Sequence, residues 1–162
     1  MNAKVLQAFD MPGRLYRVFV YKRKVKIRGN IHRLPVTLKE VLAMLARLKR
    51  LEYKYPDMAW FCCVSTTDGR TAVKKVVRTG GVGRPVLRVF GKKKPLHVHI
   101  GITSKYAHKI ANEFKVKTNR AFGAKRVRHS VCENAIHAKA YAEYSYRQAD
   151  NWRQGGTYKF FA

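Results

Sequence analysis

The sequence predicts an α+β fold, a mainly antiparallel central sheet flanked by helices, on three observations. Short runs of β-branched and aromatic residues recur along the chain, two amphipathic stretches open on capping-box spacings, and strand–helix–strand crossover units do not dominate. At 162 residues, 46% hydrophobic and 12% aromatic, the chain can bury the core of one compact domain spanning 1–162. No internal repeat or low-complexity linker divides it.

The first strand is expected over 15–20, where Tyr16 and Phe19 stand among β-formers, running into a basic stretch at 22–28 that Gly29-Asn30 breaks. Thr37 and Glu40 have capping-box spacing. Behind them Leu38, Val41, Leu42, Leu45, Leu48 and Leu51 recur at helical spacing as far as Pro56, with lysines and arginines on the outer face. The apolar run 60–66 suits a buried strand closed by Asp68-Gly69. Residues 71–78 and 85–90 read as two further strands joined through Gly80, Gly81 and Gly83, beside Arg78 and Arg84. A connection so flexible and cationic suits a sugar–phosphate backbone as well as it suits a plain hairpin. A strand follows at 96–102, then a helix at 104–115 with Tyr106, Ile110 and Phe114 on one side, then a short strand at 127–131. Ser130 and Glu133 have the spacing of a second capping box, opening a helix that runs to Asn151 and is stopped by Gly155-Gly156; residues 157–161 suit a terminal strand.

Thirty-five Lys and Arg stand against nine Asp and Glu, a formal net charge of +26 spread along the chain rather than gathered in a tail. Folding crowds these like charges together at a cost in stability that a polyanion relieves. A phosphodiester backbone is the matching partner, since each neutralised phosphate releases condensed counterions. A membrane surface is disfavoured: no lipidation motif is present, the longest apolar run is 58–64, and residues 1–18 hold no apolar core of signal-peptide length. Cys62, Cys63 and Cys132 form no pair with two intervening residues, and their odd number argues against a disulfide framework, so a reduced, cytoplasmic chain is expected.

Chemistry concentrates at Leu96-His97-Val98-His99-Ile100. Residues two apart on a strand share a face, so the two imidazoles lie side by side, as a divalent ion requires of paired nitrogen ligands. Two histidines on a half-exposed strand face account for this tripeptide equally well. A partner for them lies in the helix after Ser130, which carries Tyr141, Tyr144, Arg147 and Gln148; Tyr144 and Arg147 are about one turn apart and address one site. A phenol attacking a phosphodiester needs a cation to draw charge from the phosphate oxygens and another to stabilise the phenolate. Packing or base stacking is the competing use for Tyr141, Tyr144 and Tyr146.

The ordered combination resembles the HUH endonuclease superfamily, in particular the replication initiators of rolling-circle plasmids and small phages. His97-Val98-His99 is similar to that family's metal motif, and Tyr144-Ser145-Tyr146-Arg147 to its nucleophile motif, with arginine where the family has lysine. Gln148-Ala149-Asp150 and 152–156 resemble the continuation in those initiators. The likeness covers roughly the C-terminal half of the chain. It implies a HUH/Rep-like sheet, a variant of the ferredoxin- and RRM-like arrangement. It also implies Mg²⁺ or Mn²⁺ on His97 and His99, and Tyr144-mediated nicking and joining of single-stranded DNA at a stem-loop origin. Tyr141 would be a second nucleophile or a stacking platform. Family members usually have a third metal ligand; between Gly69 and Leu96 there is no Asp, Glu, Asn, Gln or His, which leaves Asp68, Glu113 and His129 as candidates. Arg147 can grip phosphate in a bidentate way but cannot shed a proton as lysine can. Arg78, Arg84, Arg88, Arg126, Arg128, Trp152 and Arg153 are the expected strand contacts. Two other classes fit the composition: a non-catalytic basic module that stacks on single-stranded nucleic acid, and a phage-type accessory or inhibitor protein.

Overall fold

The computed structural model describes residues 7–9, 14–67, 75–76, 86–87, 93–122, 127–132 and 134–156, with backbone alone at 75–76, 86–87, 93 and 127–132. The elements run β1 (Leu15–Tyr21), β2 (Arg23–Ile27), β3 (Asn30–Leu34), α1 (Leu38–Lys54), β4 (Ala59–Thr67), β5 (Lys75–Val76) and β6 (Val86–Leu87). Then come β7 (Lys93–Ser104), α2 (Ala107–Phe122), β8 (Val127–Cys132), α3 (Ala135–Arg147) and β9 (Asn151–Gly156). Five strands form one antiparallel sheet in the order β8-β1-β7-β4-β9, while β2-β3 and β5-β6 are separate two-stranded pairs. The architecture is the α+β arrangement that the sequence predicts. The rest of the predicted strands around β5 and β6, and the terminal strand over 157–161, lie outside the described residues.

The long central strand β7 shows how period-two alternation builds the two faces. Val98, Ile100 and Ile102 are fully buried in the larger core with Phe19, Tyr21, Trp60, Met44, Leu48 and Phe114, under α1 and α2. His97, His99 and Gly101 therefore point to the other face, which α3 covers. Full burial of each aliphatic side chain is worth ~1.5–3 kcal/mol, and a slip of one residue would forfeit all three while forcing two imidazoles into that core. The hydrophobic residues thus fix where the histidines go.

Several elements depart from expectation. The Thr37–Glu40 capping box forms, with each backbone N–H received by the other side chain at 2.9 and 3.2 Å. Helix α1, however, buries Val41, Met44, Leu48 and Leu51 and turns Leu38 and Leu42 to solvent at 71% and 56% exposure. Two sheet-facing contacts per turn leave room for a narrower stripe than six leucine-type positions imply. The basic stretch after β1 is half of a hairpin: Arg28 (φ 48°) and Gly29 (φ 82°) make the two-residue turn with both φ positive that matches strand twist, and β3 returns from it.

Ser130 is not a helix cap. It lies in β8 opposite Val18, because ladder pairing with β1 outweighs a local capping preference, and Asn134 caps α3 by accepting the His137 N–H at 3.0 Å. The helix ends at Arg147, well before Gly155-Gly156, because β4 captures the chain. The Asp150 N–H donates to the Val64 carbonyl (2.9 Å) and the Asp150 carboxylate accepts from the Thr66 N–H and Oγ1 at 2.6 and 2.7 Å. Strand β9 begins at the next residue. No helix among the described residues is long and apolar enough to cross a membrane.

Candidate metal and nucleic-acid site

Helix α3 lies close to the sheet because the residues it buries are small: Ala138, Ala142 and Ser145. The Ser145 carbonyl accepts from the Cys63 thiol at 3.0 Å, and the Ser65 hydroxyl donates to the Gln148 carbonyl at 2.6 Å, so β4 holds the last turn of the helix in place. Gly101 also permits the close approach. A Cβ there would stand 2.2 Å from Cε1 of Phe61, whose ring crosses the strand and stacks on Trp152. Tyr141 and Tyr144 flank the buried stripe of α3 and reach the histidine face of β7.

The two imidazoles are nearly buried, 6% exposed at His97 and 5% at His99, with ring centroids 5.0 Å apart. Their protonation pattern follows from their partners. Nδ1 of His97 is 3.1 Å from the Pro95 carbonyl, which can only accept, so Nδ1 carries the proton and Nε2 keeps its lone pair. Nδ1 of His99 is 3.2 Å from the Tyr141 hydroxyl, which already donates to the Phe19 carbonyl at 2.9 Å. The phenol oxygen is therefore the acceptor, and His99 too leaves Nε2 with a lone pair. Fixing Nδ1–H on an oxygen and freeing Nε2 is how metal-binding imidazoles are oriented.

Gln148 completes the constellation. Its side-chain nitrogen stands 2.9 Å from Nε2 of His99, a donor to that lone pair, and the residue is 5% exposed. Turned over, the same planar amide presents an oxygen. Two neutral imidazole nitrogens and one amide oxygen fit a divalent cation of borderline hardness, Mn²⁺ better than the strictly oxygen-seeking Mg²⁺. Among the described residues no group of three His, Cys, Asp or Glu side chains comes together, so Gln148 is what makes a third ligand available.

Tyr144 meets His99 edge-on, ring centroids 5.9 Å apart and planes at 78°. Tyr144, His97 and His99 line one recess of about 50 Å³, room for an ion with a little water. Lys22, Arg23, Arg33 and Lys94 wall it. The structure thus brings together both histidines and both tyrosines, with Tyr141 committed to holding His99 and Tyr144 facing the recess.

The other expected residues fall elsewhere. Glu113 is no third ligand: it sits in α2, on the opposite face of the sheet, with Lys54 and Lys117 each 3.0 Å from its carboxylate. His129 is in β8, opposite Phe19, with β1 between its strand and β7. Arg128 is in β8 opposite Val20. Arg147 is exposed at the end of α3 and does not line the recess. Trp152 is used in packing: its ring stacks on Phe61 (centroids 4.7 Å, 13°) and its Nε1–H donates to Gln154 at 2.9 Å. Arg153 is exposed, donates to the Trp152 carbonyl at 3.1 Å, and is paired across the ladder with Cys62, on the face of α1 and α2. Asp68, Arg78, Arg84, Arg88 and Arg126 lie outside the described residues. Sequence reasoning missed Gln148 as a ligand and Lys22, Arg23, Arg33 and Lys94 as the cationic wall. The basic runs around 22 and 94 were visible, but nothing local says that they meet at His97.

No family model matches this sequence, and comparison with curated proteins gives no match. Among solved structures, a hydantoinase/carbamoylase family amidase from Burkholderia ambifaria aligns with 75% of this chain at 11% identity and a TM-score of 0.35. This chain spans 27% of that enzyme's length, and a likeness this loose carries no functional argument.

Proposed function

We propose that this protein nicks and rejoins single-stranded DNA through a tyrosine and a histidine-held divalent metal, in the manner of a rolling-circle replication initiator of HUH type. The observation that carries the reading is the convergence of the His97 and His99 imidazoles, each carrying its proton on Nδ1, with the Tyr144 phenol in one cation-walled recess. Mn²⁺ or Mg²⁺ bound there would supply Lewis acidity at the scissile phosphate. His97, His99 and Gln148 would hold it, and the Tyr141 hydroxyl fixes the His99 ring by accepting its Nδ1–H.

The chain's own part in the reaction is attack and charge neutralisation. The Tyr144 oxygen forms a bond to phosphorus as its proton departs to solvent, the bond from phosphorus to the 3′ oxygen breaks, and that oxygen leaves as a hydroxyl after taking up a proton. The product is a 5′-phosphotyrosyl adduct whose free 3′-hydroxyl can prime synthesis; reversal rejoins the strand. Lys22, Arg23, Arg33 and Lys94 neutralise the phosphates around the break, and Arg147, one turn past Tyr144, grips an outer phosphate. Buried thiols at Cys62 and Cys63 accord with a reducing cytoplasm.

The decisive experiment incubates the protein with Mn²⁺ and a labelled stem-loop DNA and looks for a covalent adduct on a denaturing gel. An adduct that disappears in Tyr144→Phe supports the reading; an undiminished adduct in that variant shows that another nucleophile acts. A non-catalytic single-strand binder is the second reading, favoured by the lack of a three-member His, Cys, Asp or Glu cluster among the described residues. Salt-sensitive binding with no adduct on any substrate selects it.

A further inference from the structure

On α1, Arg47, Arg50, Leu51 and Lys54 recur at spacings of three and four and so share one face, which Glu113, Phe114 and Lys117 of α2 confront. Together they bound a groove of about 170 Å³, across the sheet from His97 and Tyr144. Its floor is apolar, formed by the buried Leu51 and Phe114. Its walls carry four cations against one carboxylate. Packing two helices together requires no such ring: like charges one turn apart repel, and the arrangement costs stability until an anion joins it.

Three of the four cations are held in place before any ligand arrives. Arg47 donates to the buried Thr118 hydroxyl at 3.2 Å, and its guanidinium lies 5.5 Å from the centroid of the Phe122 ring. Lys54 and Lys117 each stand 3.0 Å from the Glu113 carboxylate, which also accepts from the Tyr55 hydroxyl at 3.3 Å. Three donors thus occupy the single carboxylate of the groove, and two ammonium charges outweigh its own. Neither Arg47 nor Arg50 meets a carboxylate among the described residues. Partial burial, and then the neighbouring Arg50, lower the Arg47 guanidinium from its ordinary value, a repulsion that a bound anion would relieve. Donors fixed in this way lose little side-chain entropy when they bind.

We propose that the α1–α2 groove is a phosphate site that takes a compact, multiply charged group, free pyrophosphate or the tail of a nucleotide. The volume suits one such group with its water and falls short of the ~300–1,000 Å³ of a pocket that encloses a whole organic ligand. Arg47 and Arg50 present planar forks to phosphate oxygens from one helix, while Lys54 and Lys117 add point charges at the Glu113 end. A nucleic-acid backbone brings one charge per phosphate, so a strand crossing the groove would leave most of the ring unmatched. The site lies on the other face of the sheet from the recess and holds whether or not Tyr144 is a nucleophile.

Arginine labelling with phenylglyoxal, located by peptide mass mapping, reads the groove directly, with EDTA present to keep metal out of the recess. Pyrophosphate at about ten times its Kd is expected to slow the labelling of exposed Arg50 about tenfold. ADP that protects at a lower concentration identifies the ligand as a nucleotide; equal protection identifies pyrophosphate itself. Protection of Arg50 by a single-stranded oligonucleotide but not by pyrophosphate overturns the proposal, as does protection confined to Arg23 and Arg33 of the recess, or none. A charge-matched pair of variants separates the site from the overall charge. Arg50→Gln is expected to weaken pyrophosphate binding about tenfold in isothermal titration, by loss of charge-assisted hydrogen bonds. Lys49→Gln, exposed on the same helix outside the groove, should leave binding within about twofold. Equal losses in the two variants would mean that only net charge attracts the anion, and would sink the site.

Discussion

The side-chain nitrogen of Gln148 stands 2.9 Å from Nε2 of His99 and donates to it, so the lone pair that would bind a metal is occupied by a group able to become a ligand itself. Metal entry would exchange one hydrogen bond for two coordination bonds by turning over a planar amide. Gln148→Ala is therefore expected to weaken Mn²⁺ binding by about 10-fold or more, and Gln148→Glu to strengthen it, since a carboxylate is the better oxygen donor. Isothermal titration with Mn²⁺ measures both. Wild-type affinity in Gln148→Ala removes this residue from the ligand set.

The two tyrosines should separate cleanly. Tyr141→Phe strips the acceptor from His99 Nδ1–H and the donor from the Phe19 carbonyl, a loss of roughly 1–3 kcal/mol in stability and about 10–100-fold in metal affinity. Its adduct should still form at high Mn²⁺. Tyr144→Phe should leave the metal affinity within about twofold and abolish the adduct. Adduct loss in Tyr141→Phe at saturating metal would reverse the two roles.

Gly101→Ala tests the packing beneath the site. The new methyl would stand 2.2 Å from the Phe61 ring, which is itself stacked on Trp152, packed at a tilt against Phe9, and has little room to yield. Overpacking of this kind costs ~1–3 kcal/mol, read as a lower urea midpoint. A variant as stable as the wild type would mean that the aromatic stack moves freely.

Glu113 links stability to acid. Burial alone would push its carboxyl up, but hydrogen bonds from Lys117 and Lys54 outweigh that and hold it below the ordinary glutamate value. A depressed folded-state value gives stability that is present above the unfolded value, near 4.3, and is lost as the pH falls through the folded one. Glu113→Gln should thus destabilise at pH 7, by roughly 1 kcal/mol or less for so solvated a pair, and the gap to wild type should close below about pH 4. Urea titrations at the two pH values check this; a gap that persists in acid points to packing instead.

Cys62 and Cys63 should be inert in the folded protein. Desolvation pushes each thiol up to about 12, reinforced by Cys63 at the first and by Asp150 at the second. In a Cys132→Ser background, alkylation at pH 8 should label neither until denaturant is added. Rapid labelling of the native chain would show that β4 opens.

By itself the sequence determined the alternating pattern of β7, and with it the face shared by His97 and His99, because period-two alternation puts Val98, Ile100 and Ile102 on one side of the strand and both imidazoles on the other. The Thr37–Glu40 cap and the cationic character were equally local. Tertiary structure alone decided the rest. Ser130 went to a strand because β1 offered it a ladder, and α3 stopped at Arg147 because Thr66 and Val64 held Asp150. Gln148 reached His99 because small residues let the helix lie close to the sheet. Such contacts join residues some 50 to 120 positions apart, and no local propensity encodes them.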